Sequence, residues 1–166
     1  MTVPHVEQSV SRIGVAVVTV SDTRTAETDE SGRLLAELCA AAGHVVASRE
    51  IVPDETARIA ECVRRLAGRP DVQAIILTGG TGISARDTTI EAVEALLEKE
   101  LPGFGELFRR LSYEQVGPRA MLSRATAGVY QGVGVFALPG APGAVRLAAD
   151  KLILPAVGHM VWLLSR

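Results

Sequence analysis

The sequence is poor in aromatic residues and in net charge, and each shortage makes one kind of partner unexpected. Trp, Tyr and Phe make up 4% of the 166 residues, so there is no evident aromatic platform on which nucleic-acid bases could stack. A formal net charge of −2 gives no general attraction to a polyanion. The most apolar segment, 152–164, is broken by Pro155, Gly158 and His159 and is too short to span a bilayer. We therefore expect neither a nucleic acid nor a membrane as partner.

Cysteine is also scarce. The two cysteines, Cys39 and Cys62, fall at apolar positions of predicted helices, which favours buried free thiols over a disulfide, a metal pair or a nucleophile. Residues 1–12 combine Pro4 with polar residues and contain no apolar core of the kind that a signal peptide requires. We expect a loose tail over 1–12, a single domain over 13–166, and a reducing cytoplasm as the location.

Apolar residues, by contrast, are abundant. Hydrophobic residues form 48% of the chain, and the mean hydropathy is +0.25. This is high for a small protein, and burial between subunits would remove part of that apolar surface from water. The composition therefore predicts a homo-oligomer.

Apolar runs alternate with amphipathic segments along most of the chain. Segment 13–20 is apolar almost throughout, which is the character of a strand covered on both faces, and segments 45–52 and 72–77 are predicted as further strands. Segments 125–130 and 133–138 flank a turn at the spacing of a hairpin. Helical periodicity fills the intervals, over 34–42, 54–67, 88–97, 104–111, 145–154 and 152–164. The pattern predicts an α/β fold with three α/β/α layers around a mostly parallel, mixed sheet.

Residues 78–87, with the sequence TGGTGISARD, are the most informative stretch. They follow the predicted strand 72–77 and precede Thr88 and Glu91, which have the spacing of a capping box. Three glycines in four positions let the backbone take positive φ and turn its N–H groups inward. A following helix would add free N–H groups and the positive end of its dipole. The stretch predicts an anion site, with phosphate as the first candidate.

Other interpretations of this stretch have to be weighed. Gly80, Gly82 and Ala85 match the dinucleotide pattern G-x-G-x-x-A, but Glu98 and Glu100 lie on or just past a predicted helix instead of ending a second strand. A P-loop requires Gly-Lys-Ser/Thr, and no lysine lies between residues 1 and 98. Both motifs are rejected. A tight turn with ordinary capping remains an alternative at this point.

Loops at 21–24 and 53–55 also follow predicted strands, and the turn at 138–140 follows another. The carboxyl ends of parallel strands meet at one edge of a sheet, so these loops can converge on the glycine stretch. Asp54 and Asp87 stand at predicted helix starts beside the expected phosphate, and Asp54 could equally be a plain N-cap. A carboxylate facing a phosphate is repelled unless a cation lies between them, which predicts Mg²⁺.

These segments together resemble a known family. They are Ser21-Asp22-Thr23-Arg24, Pro53-Asp54-Glu55, Thr78-Gly79-Gly80-Thr81-Gly82 with Asp87, Pro102-Gly103-Phe104-Gly105, Ser123-Arg124 and Leu138-Pro139-Gly140. The family is that of molybdenum cofactor biosynthesis, with the molybdopterin adenylyltransferases and the G domain of gephyrin, and the resemblance covers residues 13 to about 164. Segments 21–24 and 29–32 are most similar to the protein B branch of this family.

The resemblance implies a molybdopterin-binding-type domain, usually a trimer or hexamer, that adenylylates molybdopterin with ATP and Mg²⁺ and releases pyrophosphate. It implies a molybdenum insertase as the enzyme that receives the product. Asp54 and Asp87 correspond to the catalytic pair, with Asp87 as the magnesium ligand. The substrate-binding positions it implies are Ser21, Asp22, Thr78, Gly79, Gly80, Thr81, Gly82, Ser112, Pro139 and Gly140. Ala141 stands where many relatives carry Ser or Asn, so one hydrogen bond to ligand would be absent.

Four arginines are further candidates for offsetting phosphate charge: Arg24, Arg86, Arg119 and Arg124. For each of them a solvated surface position is the alternative. Two other functions also remain, namely a non-catalytic pterin-binding or scaffolding module and a domain of the competence-damage type. Adenylyl transfer is favoured because a pure binder has no evident need for both acids, and because the competence-damage type usually carries a further domain that this sequence lacks.

Overall fold

A computed structural model describes residues 8–166, and it contains one six-stranded sheet with strand order β2-β1-β3-β6-β5-β4. The strands are β1 (Gly14–Val20), β2 (Val45–Val52), β3 (Ala74–Thr78), β4 (Lys99–Glu100), β5 (Thr126–Tyr130) and β6 (Val133–Leu138). The first four in the spatial order are parallel, whereas β5 runs antiparallel to both β6 and β4. The predicted mixed, mostly parallel sheet is confirmed.

Helices cover both faces of this sheet. They are α1 (Glu30–Ala41), α2 (Thr56–Ala67), α3 (Thr89–Glu94), α4 (Pro102–Val116), α5 (Pro142–Ala148) and α6 (Leu154–Leu164), with a 3₁₀ segment at Gly117–Leu122 and a π-helical turn at Ala149–Ile153. One core joins α1, α4, α5 and α6 to one face of the sheet, and a second core joins α2 and α3 to the other. The three-layer prediction is therefore confirmed.

The alternation of strand residues between the two cores explains the apolar runs. In β1, Val15 and Val17 belong to one core while Ala16 and Val18 belong to the other. Segment 45–52 forms a strand as predicted, but β2 lies at the edge of the sheet and its residues are mostly half-buried. Both cysteines are buried and free, as expected, and desolvation raises the pKa of each thiol to about 11.

The C-terminal helical segments form one continuous stretch, Pro142–Leu164, which is longer than the sequence suggested. Pro155 does not break it, and the proline follows the π-helical turn Ala149–Ile153, where the helical hydrogen-bond pattern is already altered. By length and a hydropathy of 1.4 the 23-residue stretch could cross a membrane. It packs instead on the sheet, with Val145, Ile153 and Val157 buried in the core.

The segment 8–12 falls within the predicted tail, and part of it contacts this helix. The Val10 N–H donates to the Gly158 carbonyl at 3.0 Å, and His159 Nδ1 lies 2.7 Å from the Gln8 carbonyl oxygen. Defined contacts thus begin before residue 13. The remainder of the predicted tail, residues 1–7, lies outside the described residues.

Candidate active site

The loops after β1, β2, β3 and β6 meet at the carboxyl edge of the sheet, as the parallel pattern predicted. The Gly79 N–H donates to the Leu138 carbonyl at 3.0 Å, and Thr78 Oγ1 donates to the Pro139 carbonyl at 3.1 Å. On the other side of β1, the Ser21 N–H donates to the Val52 carbonyl at 2.9 Å. The ends of four parallel strands are thereby tied into one surface.

The glycine loop, residues 78–87, begins with two residues in left-handed backbone conformations. Gly79 has φ 94° and Gly80 has φ 64°, which only glycine adopts readily. A β-carbon at Gly80 would overlap the side chains of Asp54 and Thr89. Gly82 has no positive φ, but a β-carbon there would lie 2.7 Å from Asp87 Oδ2. The absence of a side chain at Gly80 therefore makes room for Asp54, and its absence at Gly82 makes room for Asp87.

Four consecutive carbonyl groups of this loop, those of residues 79–82, accept hydrogen bonds from other parts of the protein. The carbonyls of Gly79 and Gly80 accept from the side chain and the N–H of Thr89, at 2.9 and 3.0 Å. The carbonyls of Thr81 and Gly82 both accept from Arg124 Nε at 3.0 Å. Within residues 8–166, no protein acceptor takes a hydrogen bond from the N–H groups of the four following residues, 80–83. Four consecutive N–H groups are thus left for a ligand.

The helix α3 begins at Thr89 and is six residues long, and its Thr89 N–H donates to the Gly80 carbonyl at 3.0 Å. The expected contribution of this helix N-terminus to the cradle stays a prediction. The predicted capping box is wrong: Thr88 makes no side-chain cap bond, and Glu91 forms an ion pair with Arg124. A buried carboxylate from another loop takes the Thr88 donors instead, and nothing in the local sequence reveals that competitor.

That carboxylate belongs to Asp54, which is only 6% exposed. Its Oδ1 accepts from the Thr88 N–H at 3.0 Å and from the Thr88 hydroxyl at 2.7 Å. The alternative of Asp54 as the N-cap of α2 is wrong, since Glu55 occupies that position without a side-chain cap bond. Asp54 therefore joins the β2–α2 loop to the start of α3.

Asp87 has a more open environment. It is half-buried, and its Oδ2 accepts from the N–H and the hydroxyl of Ser84 at 2.9 and 2.6 Å. Its Oδ1 accepts no hydrogen bond from any residue in the described part of the chain. Asp87 lines a cavity of about 350 Å³ together with Gly80, Thr81, Gly82 and Pro139, so a free carboxylate oxygen lies beside the unpaired N–H groups.

Asp22 is held by the loop that carries Asp87. Arg86 donates to both of its carboxylate oxygens, at 2.7 and 3.0 Å, and the Asp54 N–H donates to Oδ1 at 3.0 Å. The Arg86 guanidinium lowers the pKa of the Asp22 carboxyl, while the carboxylate raises the pKa of Arg86. Asp22, predicted to bind substrate, is thus part of a tie between three loops.

The remaining arginines differ in their surroundings. Arg24 donates to the Thr28 carbonyl at 3.2 Å and lines a second cavity. Arg119 is exposed on the 3₁₀ segment and makes no hydrogen bond or ion pair with residues 8–166. The Glu91 carboxylate raises the pKa of Arg124, whose guanidinium is occupied by the glycine loop and by this partner. Of the four candidates, only Arg24 and Arg124 line the cavities at the strand ends.

Two cavities adjoin where Gly79 meets Gly140. The second has about 370 Å³ and is lined by Thr19, Ser21, Arg24, Ser31, Thr78 and Ala141 among others. Gly79 and Gly140 line both, and Ser31 Oγ donates to the Gly140 carbonyl at 2.5 Å. The site thus has two compartments divided by a contact between the glycine loop and the β6–α5 loop.

The structure brings together all the predicted site residues except Ser112. Ser112 is buried on α4 and lines neither of the two compartments. Sequence reasoning missed Asp29, which is 3% exposed and caps α1 by accepting from the Gly32 N–H at 2.9 Å. Asp29 also accepts from Thr19 at 2.9 Å and from Arg49 at 3.1 Å. An acid directly before an amphipathic run is an N-cap signal that could have identified it.

The site offers few protein ligands for the predicted Mg²⁺. Among residues 8–166 no three His, Cys, Asp or Glu side chains are grouped as a protein-built metal site would require. Protein-bound Mg²⁺ commonly takes one or two carboxylates and completes its coordination with substrate phosphates and water. The free oxygen of Asp87, next to N–H groups suited to phosphate, fits an ion shared with a substrate.

The chain is similar to known proteins over nearly its whole length. The family described as the probable molybdopterin binding domain matches residues 16–159. The chain is 53% identical over 163 residues to the molybdenum cofactor biosynthesis protein B of Bacillus anthracis, covering 98% of this chain and 96% of that protein.

Solved structures are similar as well. A crystal structure of a molybdenum cofactor biosynthesis protein B has a TM-score of 0.93 at 52% identity, covering 96% of this chain and 99% of that one. The tungsten cofactor synthesizing protein MoaB from Pyrococcus furiosus has a TM-score of 0.75 at 38% identity, covering 89% and 94%.

Proposed function

The chain belongs to the family of probable molybdopterin binding domains, and from this premise we propose that it acts in molybdenum cofactor biosynthesis as a molybdopterin adenylyltransferase. In this reaction the terminal phosphate of molybdopterin attacks the α-phosphorus of ATP. A new phosphoanhydride bond forms, the bond between the α- and β-phosphates breaks, and pyrophosphate leaves with that electron pair. The similarity to proteins named for molybdenum cofactor biosynthesis supports the pathway, and the site geometry supports the chemistry.

The observation that carries the proposal is the row of four unpaired N–H groups, residues 80–83, beside the free carboxylate oxygen of Asp87. Such N–H groups bind phosphate oxygens without requiring a charged side chain. In adenylyl transfer the protein has to align two polyanions and to stabilise charge as they approach each other. A cradle of backbone donors with an acid next to it is suited to both tasks.

The two acids have different parts in this proposal. Asp87 would hold Mg²⁺ through Oδ1, directly or through water, while Ser84 fixes Oδ2. When bound, the ion neutralises phosphate charge and orients the oxygens. Asp54 is buried, and Thr88 occupies its Oδ1, so it contributes by fixing the loop instead of contacting phosphate.

The other substrate contacts remain proposals of the same kind. Ser21, Thr78, Pro139 and Gly140 line the two compartments, each of which has a volume in the range of small-molecule sites. Ser112 lies elsewhere on α4, so a contact with molybdopterin would require that helix or a neighbouring subunit to approach the site.

We also propose a cytoplasmic homo-oligomer, a trimer or hexamer, whose product passes to a molybdenum insertase. Large apolar side chains on α4 and the 3₁₀ segment support subunit contact, since Leu107, Tyr113 and Met121 are 50%, 60% and 78% exposed. Sedimentation at micromolar concentration should show the oligomer. A monodisperse monomer would contradict it.

The experiment that tests the function is incubation of the protein with molybdopterin, ATP and Mg²⁺, followed by mass spectrometry. We expect adenylylated molybdopterin and pyrophosphate in equal amounts, and neither without ATP. Calorimetry with molybdopterin alone should accompany it. Binding without product would replace the proposal with a non-catalytic pterin-binding or scaffolding role, and the absence of both would refute it.

A further inference from the structure

Arg124 follows the 3₁₀ segment in the chain, yet its guanidinium group contacts the glycine loop some forty residues earlier. Nε donates to the carbonyls of Thr81 and Gly82, both at 3.0 Å. The amino groups extend to the Asp87 carbonyl at 3.4 Å and to the carboxylate of Glu91. One side chain therefore spans the loop from its glycines to its last residue, Asp87.

These contacts fix the orientation of two peptide groups. The C=O and N–H of a trans peptide group point in opposite directions. Because Arg124 holds the carbonyls of Thr81 and Gly82, it directs the N–H groups of Gly82 and Ile83 away from itself. Thr89 does the same for the two preceding peptide groups. The row of four N–H groups is thus built half by the start of α3 and half by Arg124.

The half that depends on Arg124 has little other support. Gly82 and Ile83 are exposed, and neither has a backbone hydrogen bond to another part of residues 8–166. Ser84 and Asp87 bond each other but not the glycine peptides. Since Glu91 already neutralises the guanidinium charge, Arg124 is better placed to order the loop than to serve as a free cation for phosphate.

We propose that Arg124 is a positioning residue that sets two of the four N–H groups of the anion cradle, and that its loss disorders the second half of the glycine loop. The ligand class, a phosphate or pyrophosphate group, rests on the proposed function. The ordering of the loop does not, and it can be measured without substrate.

The test uses Arg124→Ala and Arg124→Lys, with Arg64→Ala as the matched control. Arg64 is exposed on α2 and touches none of the loops of the site. Amide hydrogen exchange by NMR reads the loop at Ser84 and Asp87, whose N–H groups are bonded within it, and reads the sheet at β1 and β3. We expect protection at Ser84 and Asp87 to fall by about tenfold or more in Arg124→Ala, with the sheet unchanged. The control should match the parent.

A second readout is the binding of inorganic pyrophosphate with Mg²⁺, measured by calorimetry. Arg124→Ala should bind about tenfold more weakly, and guanidinium at low millimolar concentration should restore part of the affinity by occupying the vacated position. Arg124→Lys should lie between the parent and Arg124→Ala, because an ammonium group spans fewer acceptors.

Unchanged loop protection in Arg124→Ala would overturn the proposal, and so would an equal loss of protection in the sheet, which would mark a purely structural role. If Arg124→Ala does not fold, Arg124→Lys decides by the same two criteria. The adenylyl transfer assay on the parent stands apart: no product there would remove the proposed function while leaving the exchange result to decide on Arg124.

Discussion

The loops that carry Asp54 and Asp87 each place an acid shortly before a helix, but the two acids have different surroundings. Asp54 lies against Gly80 and Asp87 lies against Gly82, and both of these glycines belong to residues 78–87. Asp54 is 6% exposed with its Oδ1 doubly bonded, whereas Asp87 is half-buried with Oδ1 free. Asp54 is therefore suited to hold two loops together, whereas Asp87 keeps one carboxylate oxygen available to a ligand.

The largest effect expected from this difference is on catalysis. Asp87→Asn should lower adenylyl transfer by at least about 100-fold, because the amide removes the charge that would hold Mg²⁺ between phosphates. The affinity for molybdopterin and the melting temperature should stay near those of the parent, since Asn can keep the Ser84 contacts through its oxygen. Steady-state kinetics and thermal melts measure both.

Ser84→Ala is the control, since it removes one donor to Asp87 and keeps the charge. It should reduce turnover far less than Asp87→Asn does. If the Asp87→Asn variant instead had normal turnover and a lower melting temperature, Asp87 would have a structural role like that of Asp54. The distinction between the two acids would then be wrong.

Gly80→Ala should have the largest effect on stability. The substitution places a β-carbon at φ 64° and against Asp54 and Thr89, which should cost about 2 to 4 kcal/mol. Gly82→Ala is its counterpart, with no positive φ and with the more exposed Asp87 as its neighbour. We expect a melting temperature lowered by about 5 to 15 °C for Gly80→Ala and by much less for Gly82→Ala.

Gly82→Ala should instead lower activity per folded molecule, because the new methyl group displaces the Asp87 carboxylate. Thermal melts together with turnover corrected for the folded fraction separate the two outcomes. Equal destabilisation by Gly80→Ala and Gly82→Ala would show that the loop responds as one unit. The surroundings of Asp54 and Asp87 would then not be independent of each other.

The strands, the three layers and the convergence of the loops could be predicted from the sequence, because they follow from local periodicity and from parallel pairing. Val15 to Val18 can be assigned to two faces by alternation alone. The hydrogen bonds and ion pairs that hold the loops of the site together could not be predicted in this way. Thr88 and Glu91 fit a capping box by spacing, and the partners that override it, Asp54 and Arg124, come from 34 and 33 residues away.

The bidentate ion pair between Asp22 and Arg86 could not be predicted for the same reason, because the two residues are 64 positions apart in the sequence. Charges in polar loops could equally have been solvated or bound to phosphate. Which of them meet is decided by the tertiary fold, and single-sequence patterns carry no distance across loops. Family resemblance supplied the identity of the acids but not the difference between them.

Removing the Asp54 carboxylate should have an intermediate effect on stability. Asp54→Ala leaves the half-buried Thr88 N–H and hydroxyl without their acceptor, at a cost of about 2 kcal/mol. The melting temperature should fall by about 4 to 8 °C. Asp87→Ala, measured beside it, should cost about 1 kcal/mol or less because its donors can turn to water. The reverse order of the two melting temperatures would contradict the comparison.

The smallest expected effect is a loosening of the Asp87 loop in acid. The ion pair with Arg124 lowers the pKa of the Glu91 carboxyl from its ordinary value of 4.5. A folded-state pKa below the unfolded one contributes stability that is fully present above 4.5 and is lost as pH falls through the folded value. Because the Glu91 side chain is 55% exposed, solvent screening keeps this contribution at about 0.5 kcal/mol or less.

Exchange protection at Ser84 and Asp87 should therefore be constant from pH 7 to about 5 and should decline slightly below pH 4.5, after correction for the intrinsic exchange rate. Glu91→Gln should remove this decline, because it has no charge to lose. The acid window is shared with Asp22, whose pKa Arg86 also lowers, but that pair ties the loop at Arg86 and is unchanged in Glu91→Gln. An undiminished decline in Glu91→Gln would show that the ion pair between Glu91 and Arg124 is not the source of the acid response.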